Sequence, residues 1–270
     1  MKWEDTLGLI EPPISKMERI LMHCNSKLEI IYEDDSLVVC HKLPGIPVQT
    51  VKAGKPDMVS LLRNYFAAKG EENTQVFVIH RLDQPVEGVI VFAREKEAAA
   101  DLSRQSRERN MNKSYLALVE GVFDEPCGVL DDYLLHDKKA NMSRVVSKGT
   151  HGSKHAVLRY EVEKVHKIQE EDNVSLQECH PENSVAGNDD VSLVRVQLET
   201  GRHHQIRVQM ANAGHPLIGD KKYNPNCAAG YFPVGLCAVG IAFVHPVTGK
   251  PMEFTVEPSS QCLISLSLVS

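Results

Sequence analysis

Two β-rich apolar runs enclose a polar loop in residues 75–93, QVFVIHRLDQPVEGVIVFA. The runs, Gln75–His80 and Gly88–Phe92, are rich in Val, Ile and Phe, which favour strands. The loop between them places Asp83 after a cationic side chain and before the chain-bending Pro85. Two flanking strands can hold such a carboxylate rigidly and point it into a cleft. An Asp in this position is also common in turns that have no further role, so the loop alone leaves both interpretations open.

Strand-like runs continue on both sides of this segment. Residues 28–45 are typical of a β-hairpin that ends at Pro44-Gly45. Helices are predicted over 57–69, behind an Asp57 cap, over 95–109 and over 203–213. Later strands are predicted over 113–119, 193–199, 236–244 and 252–256. Because strands come in adjacent runs with few helices between them, we predict an α+β fold with a mixed, mostly antiparallel central sheet flanked by helices and loops.

Composition excludes several classes of protein. The 270 residues are 42% hydrophobic and 24% charged, which suits a globular domain with a real core. No apolar run reaches the length of about 18 residues that a membrane helix needs. The amino terminus carries Glu4, Asp5 and Glu11 where a secretory signal needs positive charge, so we expect a cytoplasmic protein. Neither GxGxxG nor GxxxxGK[ST] is present, and we expect no nucleotide or other cofactor.

The seven cysteines are widely spaced and never form CxxC, which predicts free thiols and neither a disulfide framework nor a zinc site. The net charge of −6 argues mildly against non-specific binding of polyanions. Seven of the 36 acidic residues, however, lie in Glu170–Asp190, a stretch without Lys or Arg. We interpret residues 168–190 as an acidic insertion between strands. The remainder of the chain is nearly neutral, with 30 basic and 29 acidic residues.

A second polar segment, Thr200–Arg207, follows the strand predicted over 193–199 and has the sequence TGRHHQIR. Several hydrogen-bond donors lie at the amino terminus of a predicted helix, a place that favours the binding of oxyanions. The segment therefore predicts an anion-binding site and an Arg that pairs with a carboxylate. A metal site at His203-His204 is disfavoured, because adjacent side chains on a helix point about 100° apart. A third segment, Lys113–Val119, begins a strand with Tyr115, a residue that by itself is more often structural.

Taken in order, these segments resemble the RluA-type family of RNA pseudouridine synthases. The motifs are HRLD at residues 80–83, KSYLALV at 113–119, TGRHHQIR at 200–207, GHPLIGD at 214–220 and FVHPVTGKPM at 243–252, after an opening DDSLVV at 34–39 and KLPG at 42–45. The resemblance covers about Leu28 to Pro258. It departs from the family at Val86-Glu87-Gly88, where Thr-Ser-Gly is common, and we expect Glu87 to add negative charge near Asp83 and to alter RNA contacts.

The resemblance implies an isomerase that breaks the bond between ribose C1′ and uracil N1, turns the base and rejoins it through C5. It implies Asp83 as the carboxylate acting near C1′, Arg207 as its guanidinium partner and Tyr115 as the residue that stacks on the uracil and helps to remove the C5 proton. It also implies structured ribosomal or transfer RNA, with a flipped-out uridine, as the partner. Candidate RNA contacts are basic or polar residues of the three segments and their neighbours: Lys42, Arg81, Arg104, Arg107, Arg109, Lys113, Arg202, His203, Gln205, Lys221 and Lys222. His80 is expected to be structural.

The implied organisation is a leader at 1–27 without a separate RNA-binding module, a catalytic domain at 28–258 and a tail at 259–270. A monomer is the default expectation. Two alternatives remain: an RNA-binding protein that kept the fold with weak or no catalysis, and a small-molecule glycosidase, for which Glu87 is the nearest candidate for a second acid.

Overall fold

The computed structural model describes residues 28–51, 54–71, 73–166, 190–227, 233–260 and 263. The predicted leader at 1–27 therefore lies outside the described residues, as do nearly all of the acidic insertion and most of the tail. Within the described part, no helix is long and apolar enough to cross a membrane. Three of the cysteines placed there, Cys40, Cys127 and Cys237, are free thiols, as predicted.

Eleven strands and three helices are described. The strands are β1 (Glu29–Glu33), β2 (Leu37–Lys42), β3 (Phe77–Val78), β4 (Glu87–Ala93), β5 (Asn112–Glu120), β6 (Cys127–Asp137), β7 (Met142–Val146), β8 (Lys154–His166), β9 (Val191–Leu198), β10 (Leu236–Val244) and β11 (Pro251–Thr255). The helices are α1 (Met58–Ala68), α2 (Lys96–Arg107) and α3 (Gln205–Asn212).

The strands form one sheet in the order β1-β2-β4-β10-β5-β9-β8-β6-β7, with β3 beside β4 and β11 beside β10. The pair β4 and β10 is parallel, and every other described pair is antiparallel. The predicted α+β fold with a mixed, mostly antiparallel sheet is thus confirmed. The parallel pair brings Gly88 against Ala238 so closely that a Cβ on Gly88 would overlap the Ala238 backbone.

Alternate residues of the buried strands pack against helices on opposite faces of the sheet. On β2, Val38 and Cys40 belong to the cluster that contains Phe66 of α1, whereas Leu37 and Val39 belong to the cluster that contains Leu102 of α2. This period of two is the one expected of a strand covered on both faces.

Helix α1 begins where the sequence predicts. The Asp57 side chain accepts a hydrogen bond from Ser60 N at 2.7 Å, and Ser60 Oγ accepts one from Asp57 N at 3.0 Å, which completes a capping box. Other boundaries differ from prediction. The run Gln75–His80 contains a strand of only two residues, β3, because it pairs with β4 only through Phe77 and Val78.

Helix α3 begins at Gln205, two residues later than the predicted start at His203. His204 has φ of 54°, a left-handed conformation that cannot continue a helix. The predicted donor-rich helix start is therefore a tight turn before the helix. Asp83, in the loop between β3 and β4, and Arg207, in the first turn of α3, come from segments separated by more than a hundred residues.

Candidate active site

A cleft of about 1790 Å³ opens along the face of the sheet that carries the polar segments. All three segments line it: the loop with Asp83, the start of β5 with Tyr115, and the turn before α3 with Arg207. Nine basic residues and three acidic residues line the cleft: Arg81, Arg107, Arg109, Lys113, Arg159, Arg202, Arg207, Lys221 and Lys222, against Asp83, Glu199 and Glu253. Its surface is therefore suited to a polyanion, although the whole chain is acidic.

Asp83 is held by a buried arginine. Arg207 Nη1 donates a hydrogen bond of 2.9 Å to Asp83 Oδ2, and its Nε and Nη2 donate bonds of 2.7 and 2.6 Å to the two oxygens of Asp220. Arg207 is 3% exposed and Asp220 is fully buried. Burial alone would lower the pKa of Arg207, but the hydrogen bonds and charges of Asp220, together with the charge of Asp83, raise that pKa above its ordinary value. The guanidinium is thus a fixed positive charge that donates a charge-assisted hydrogen bond to Asp83.

Tyr115 lies on β5 near this pair. Its side chain is 6% exposed, yet it lines the cleft. Burial, and then the nearby charge of Asp83, raise the pKa of Tyr115, so the phenol keeps its proton at neutral pH. A neutral phenol beside a carboxylate combines a flat ring for stacking with a hydroxyl that can take part in proton transfer.

His204 completes the surroundings of Asp83. Its Nε2 lies 3.5 Å from Asp83 Oδ2, and its Nδ1 lies 2.8 Å from the Tyr223 hydroxyl. The Tyr223 oxygen accepts a hydrogen bond of 2.7 Å from Ser143 N, which leaves its own proton for His204 Nδ1. With the Tyr223 hydroxyl as donor, His204 Nδ1 accepts and the ring proton is carried by Nε2. Burial lowers the pKa of His204 to about 3, so the ring is neutral.

His203 and His204 do not diverge as expected for neighbours on a helix. The left-handed conformation of His204 brings the two rings face to face, with centroids 3.7 Å apart, and His136 of β6 stacks on the other side of His203 at 3.9 Å. The geometric reason given above against a metal site therefore does not apply. Among the described residues, even so, no group of three or more His, Cys, Asp or Glu side chains is placed to bind a metal ion.

The structure divides the predicted RNA contacts into two groups. Those that line the cleft are Arg81, Arg107, Arg109, Lys113, Arg202, His203, Gln205, Lys221 and Lys222. Lys113 is the most enclosed lysine of this group, and burial lowers its pKa to about 8. Arg104 and Lys42 do not line the cleft. Arg104 is exposed on α2 and forms ion pairs with Asp101 and Glu108 on the same helix surface.

Lys42 has a different role from the one predicted. It is fully buried, and its Nζ donates hydrogen bonds to Leu43 O at 3.1 Å and to Gln84 O at 3.2 Å. An ammonium enclosed in this way cannot reach an RNA phosphate, and burial lowers its pKa to about 7. Because Gln84 follows Asp83 directly, the Lys42 side chain supports the loop that carries the carboxylate.

Gln205 also has a structural role. It is 3% exposed, and its amide bridges three groups: it accepts from Thr200 Oγ1 and Arg202 N at 2.8 and 3.0 Å and donates to Val157 O at 3.1 Å. These bonds fix the turn before α3. His80 behaves as expected of a structural residue, because its Nε2 accepts a hydrogen bond of 3.3 Å from Val91 N. Burial, and then the charge of Lys113, lower the pKa of His80 well below its ordinary value.

Glu87 lies in the protein interior and not at the cleft, contrary to expectation. It is 1% exposed, and its carboxylate accepts hydrogen bonds from the backbone N–H groups of Ser259 and Ser260 at 2.9 and 3.1 Å and from both hydroxyls. The negative charge is therefore satisfied inside the protein. Glu87 does not line the cleft, which removes the nearest candidate for the second acid of a glycosidase.

Three residues around Asp83 and Arg207 were given no role there from the sequence: Asp220, His204 and Tyr223. Asp220 ends the GHPLIGD motif, and a carboxylate close in sequence to a buried Arg was an available signal. No sequence signal indicated His204 or Tyr223. The place of His204 depends on its left-handed conformation, and that of Tyr223 depends on its hydrogen bond with Ser143 of β7.

A carboxylate held by a buried guanidinium thus lies with a neutral tyrosine in a basic cleft that is suited to a polyanionic substrate. The comparisons with known proteins give the family. A profile of the family described as RNA pseudouridylate synthase matches residues 36–212. The chain belongs to this family, whose members are isomerases that convert uridine to pseudouridine in RNA.

Several proteins named pseudouridine synthases are similar to this chain over most of its length. YhcT of Bacillus subtilis, named an uncharacterized RNA pseudouridine synthase, is 30% identical over 83% of this chain and 66% of its own length. The ribosomal large subunit pseudouridine synthase C of Yersinia pestis is 28% identical over 94% of this chain and 77% of its own. The ribosomal large subunit pseudouridine synthase D of Zymomonas mobilis is 30% identical over 90% of this chain and 74% of its own length. The chain thus spans about two thirds to three quarters of these relatives.

Solved structures give the same fold. Human RNA pseudouridylate synthase domain containing 4 superposes with a TM-score of 0.65 at 20% identity, covering 89% of this chain and 92% of that one. Human RNA pseudouridylate synthase domain containing 1 superposes with a TM-score of 0.64 at 22% identity, covering 86% of this chain and 83% of that one.

Proposed function

We propose that this protein isomerises a specific uridine in a structured RNA, and that Asp83, Arg207 and Tyr115 carry out the chemistry. The observation that supports these roles best is the buried Arg207 guanidinium, which joins Asp83 at the cleft to the fully buried Asp220. A carboxylate fixed in this way loses little orientational freedom when the substrate binds.

Asp83 acts at the sugar. Cleavage of the bond between C1′ and N1 develops positive charge on the ribose, and an ionised carboxylate close to C1′ stabilises that charge or forms a bond to it. Arg207 holds this carboxylate in position through its hydrogen bond to Asp83 Oδ2 and places a positive charge beside it.

Tyr115 acts on the base. Once the uracil has turned and rejoined the sugar through C5, the C5 proton must leave for the ring to become aromatic again. The Tyr115 ring stacks on the uracil, and its hydroxyl oxygen accepts the C5 proton as the hydroxyl passes its own proton to the nearby Asp83 carboxylate, which is no longer engaged with the sugar. No net hydrolysis and no redox change occur: N1 gains a proton for the one that leaves C5, so pseudouridine has the same composition as uridine.

The substrate must present its uridine outside a base-paired stack, because C1′ and N1 are inaccessible within one. The basic residues along the cleft bind the phosphates on either side of the flipped nucleotide. Relatives named for the large ribosomal subunit support ribosomal RNA as the substrate class. A cytoplasmic location and a monomeric state remain predictions.

Release of tritium from RNA labelled at uridine C5 tests the proposal. The full chain is incubated with unmodified large-subunit ribosomal RNA transcripts, and Asp83→Asn serves as the matched variant, since it keeps shape while removing the charge. We expect release by the wild-type protein and none by Asp83→Asn, with RNA binding retained by both. RNA binding without release by the wild-type protein would instead support the catalytically weak RNA-binding alternative.

A further inference from the structure

Three imidazole rings form a column that starts beside Asp83 and ends at the protein surface. His204 is 8% exposed, His203 is half-buried and His136 is exposed. The ring centroids are 3.7 and 3.9 Å apart, and the successive planes are inclined by 27° and 22°. Rings this close and this nearly parallel overlap face to face.

Hydrogen bonds to the hairpin of β6 and β7 hold the column in place. Ser143 Oγ donates to His203 O at 2.8 Å and lies 3.0 Å from His203 Nδ1, while His203 Nε2 lies 3.1 Å from Asn141 Oδ1. His136 is the register partner of Ser143 across the hairpin. The two inner rings are thus fixed before any ligand arrives, which lowers the entropic cost of stacking a further ring on the column.

The surroundings of the column favour a nucleobase as its ligand. Burial lowers the pKa of both His203 and His204, so the two inner rings are uncharged at neutral pH. His136 lines the cleft together with basic residues, among them Arg202 and Lys222. Flat rings among cations are the combination by which proteins bind single-stranded nucleic acid: cations bind the phosphates, and rings stack on the bases.

We propose that the exposed surface of His136 is a stacking site for a base next to the target uridine in the RNA chain. The column of His204, His203 and His136 then continues the RNA base stack to the edge of the catalytic site and compensates for the stacking lost when the uridine is flipped out. This inference rests on the proposed function and adds to it an RNA-binding residue on the hairpin.

Equilibrium binding of unmodified large-subunit ribosomal RNA transcripts tests the site without turnover when all proteins carry Asp83→Asn. We expect His136→Ala to raise the Kd about 5- to 150-fold, the range expected for loss of one stacked base. His136→Phe should restore the wild-type Kd, because a phenyl ring stacks equally well. His151→Ala is the matched control, since His151 is an exposed histidine that does not line the cleft.

A tryptophan at the same position reports stacking directly. The chain has a single tryptophan, Trp3, so Trp3→Phe gives a silent background. We expect RNA to quench the fluorescence of His136→Trp in parallel with binding and to leave that of His151→Trp unchanged. An unaltered Kd for His136→Ala, or no quenching of His136→Trp at saturating RNA, would overturn the stacking site.

Tritium release by the protein with Asp83 intact separates the two proposals. Release together with an unaltered Kd for His136→Ala overturns only the stacking site. Absence of release, with the expected Kd and quenching changes, overturns the proposed function and supports the stacking site as part of an RNA-binding surface.

Discussion

Arg207 Nη1 lies 2.9 Å from Asp83 Oδ2, and this contact links two segments that are far apart in sequence. The other side of the guanidinium is occupied by Asp220, through bonds of 2.7 and 2.6 Å. Arg207 therefore cannot turn away from Asp83 without breaking a buried ion pair. The buried ion pair of Arg207 with Asp220 therefore fixes the position of the Asp83 carboxylate in the cleft.

Arg207→Lys tests this positioning. Lysine keeps the positive charge but cannot form the fork of hydrogen bonds to both carboxylates. We expect the single-turnover rate at saturating RNA to fall about 10²-fold, with little change in the Kd for RNA. A rate equal to that of the wild-type protein would contradict the positioning role.

Arg207→Ala should add a loss of stability, because it leaves Asp220 buried and unpaired. We expect the free energy of unfolding to fall by about 3–5 kcal/mol in urea denaturation. The double variant Arg207→Ala, Asp220→Ala removes the uncompensated charge and should recover part of this loss. No recovery in the double variant would argue against Asp220 as the source of the instability.

Tyr115→Phe separates stacking on the base from proton transfer. The phenyl ring still stacks, so we expect an RNA Kd close to that of the wild-type protein, whereas tritium release should be lost because the hydroxyl is absent. Full release by Tyr115→Phe would refute the role in proton transfer. Tyr160→Phe, a change of a partly buried tyrosine that does not line the cleft, is the control.

Glu87→Gln tests whether this carboxylate is structural. The amide keeps one acceptor oxygen for Ser259 and Ser260 but loses the charge that strengthens these bonds. We expect the free energy of unfolding to fall by about 1–3 kcal/mol and the turnover rate to stay near the wild-type value. Loss of turnover with unchanged stability would show that Glu87 takes part in the chemistry. Glu125→Gln is an exposed control away from the cleft.

His204 predicts a specific dependence of stability on pH. Burial lowers the pKa of His204 from its ordinary value of 6.5 to about 3, despite the opposing charge of Asp83, while Arg207, His203 and Lys222 lower it further. The unfolded chain therefore binds more protons between those two values, and stability is lost as the pH falls from 6.5 towards 3.

His204→Gln should remove this contribution. Urea denaturation at pH 7 and pH 5 should show that the variant loses about 2 kcal/mol less stability than the wild-type protein over this interval. His151→Gln, at an exposed position, should behave as the wild-type protein does. An equal loss for His204→Gln and wild type would contradict a buried neutral His204.

Much of the fold could be predicted from local patterns. The nearly continuous apolar runs of β2 and β4 are typical of buried strands, and Asp57 predicts the start of α1. These features depend on residues near one another in the chain, so they can be predicted from local sequence patterns. The start of α3 was misplaced because a left-handed residue other than glycine leaves no compositional mark.

Site residues divide in the same way. The ordered motifs identify Asp83, Tyr115 and Arg207, and the structure brings all three to one cleft. The predictions for Lys42 and Glu87 were wrong because a charged residue is usually exposed. The packing around these two residues shows that they are buried and hydrogen-bonded.

By itself, the sequence determined the class of fold, the family resemblance and the candidate catalytic residues, because strand periodicity and ordered motifs are properties of the linear chain. Tertiary structure alone decided that Asp220 anchors Arg207, that Glu87 and Lys42 support the interior, and that three histidines stack beside Asp83. Burial and distance between remote segments determine what a charge or a ring can do, and neither is encoded at any single position.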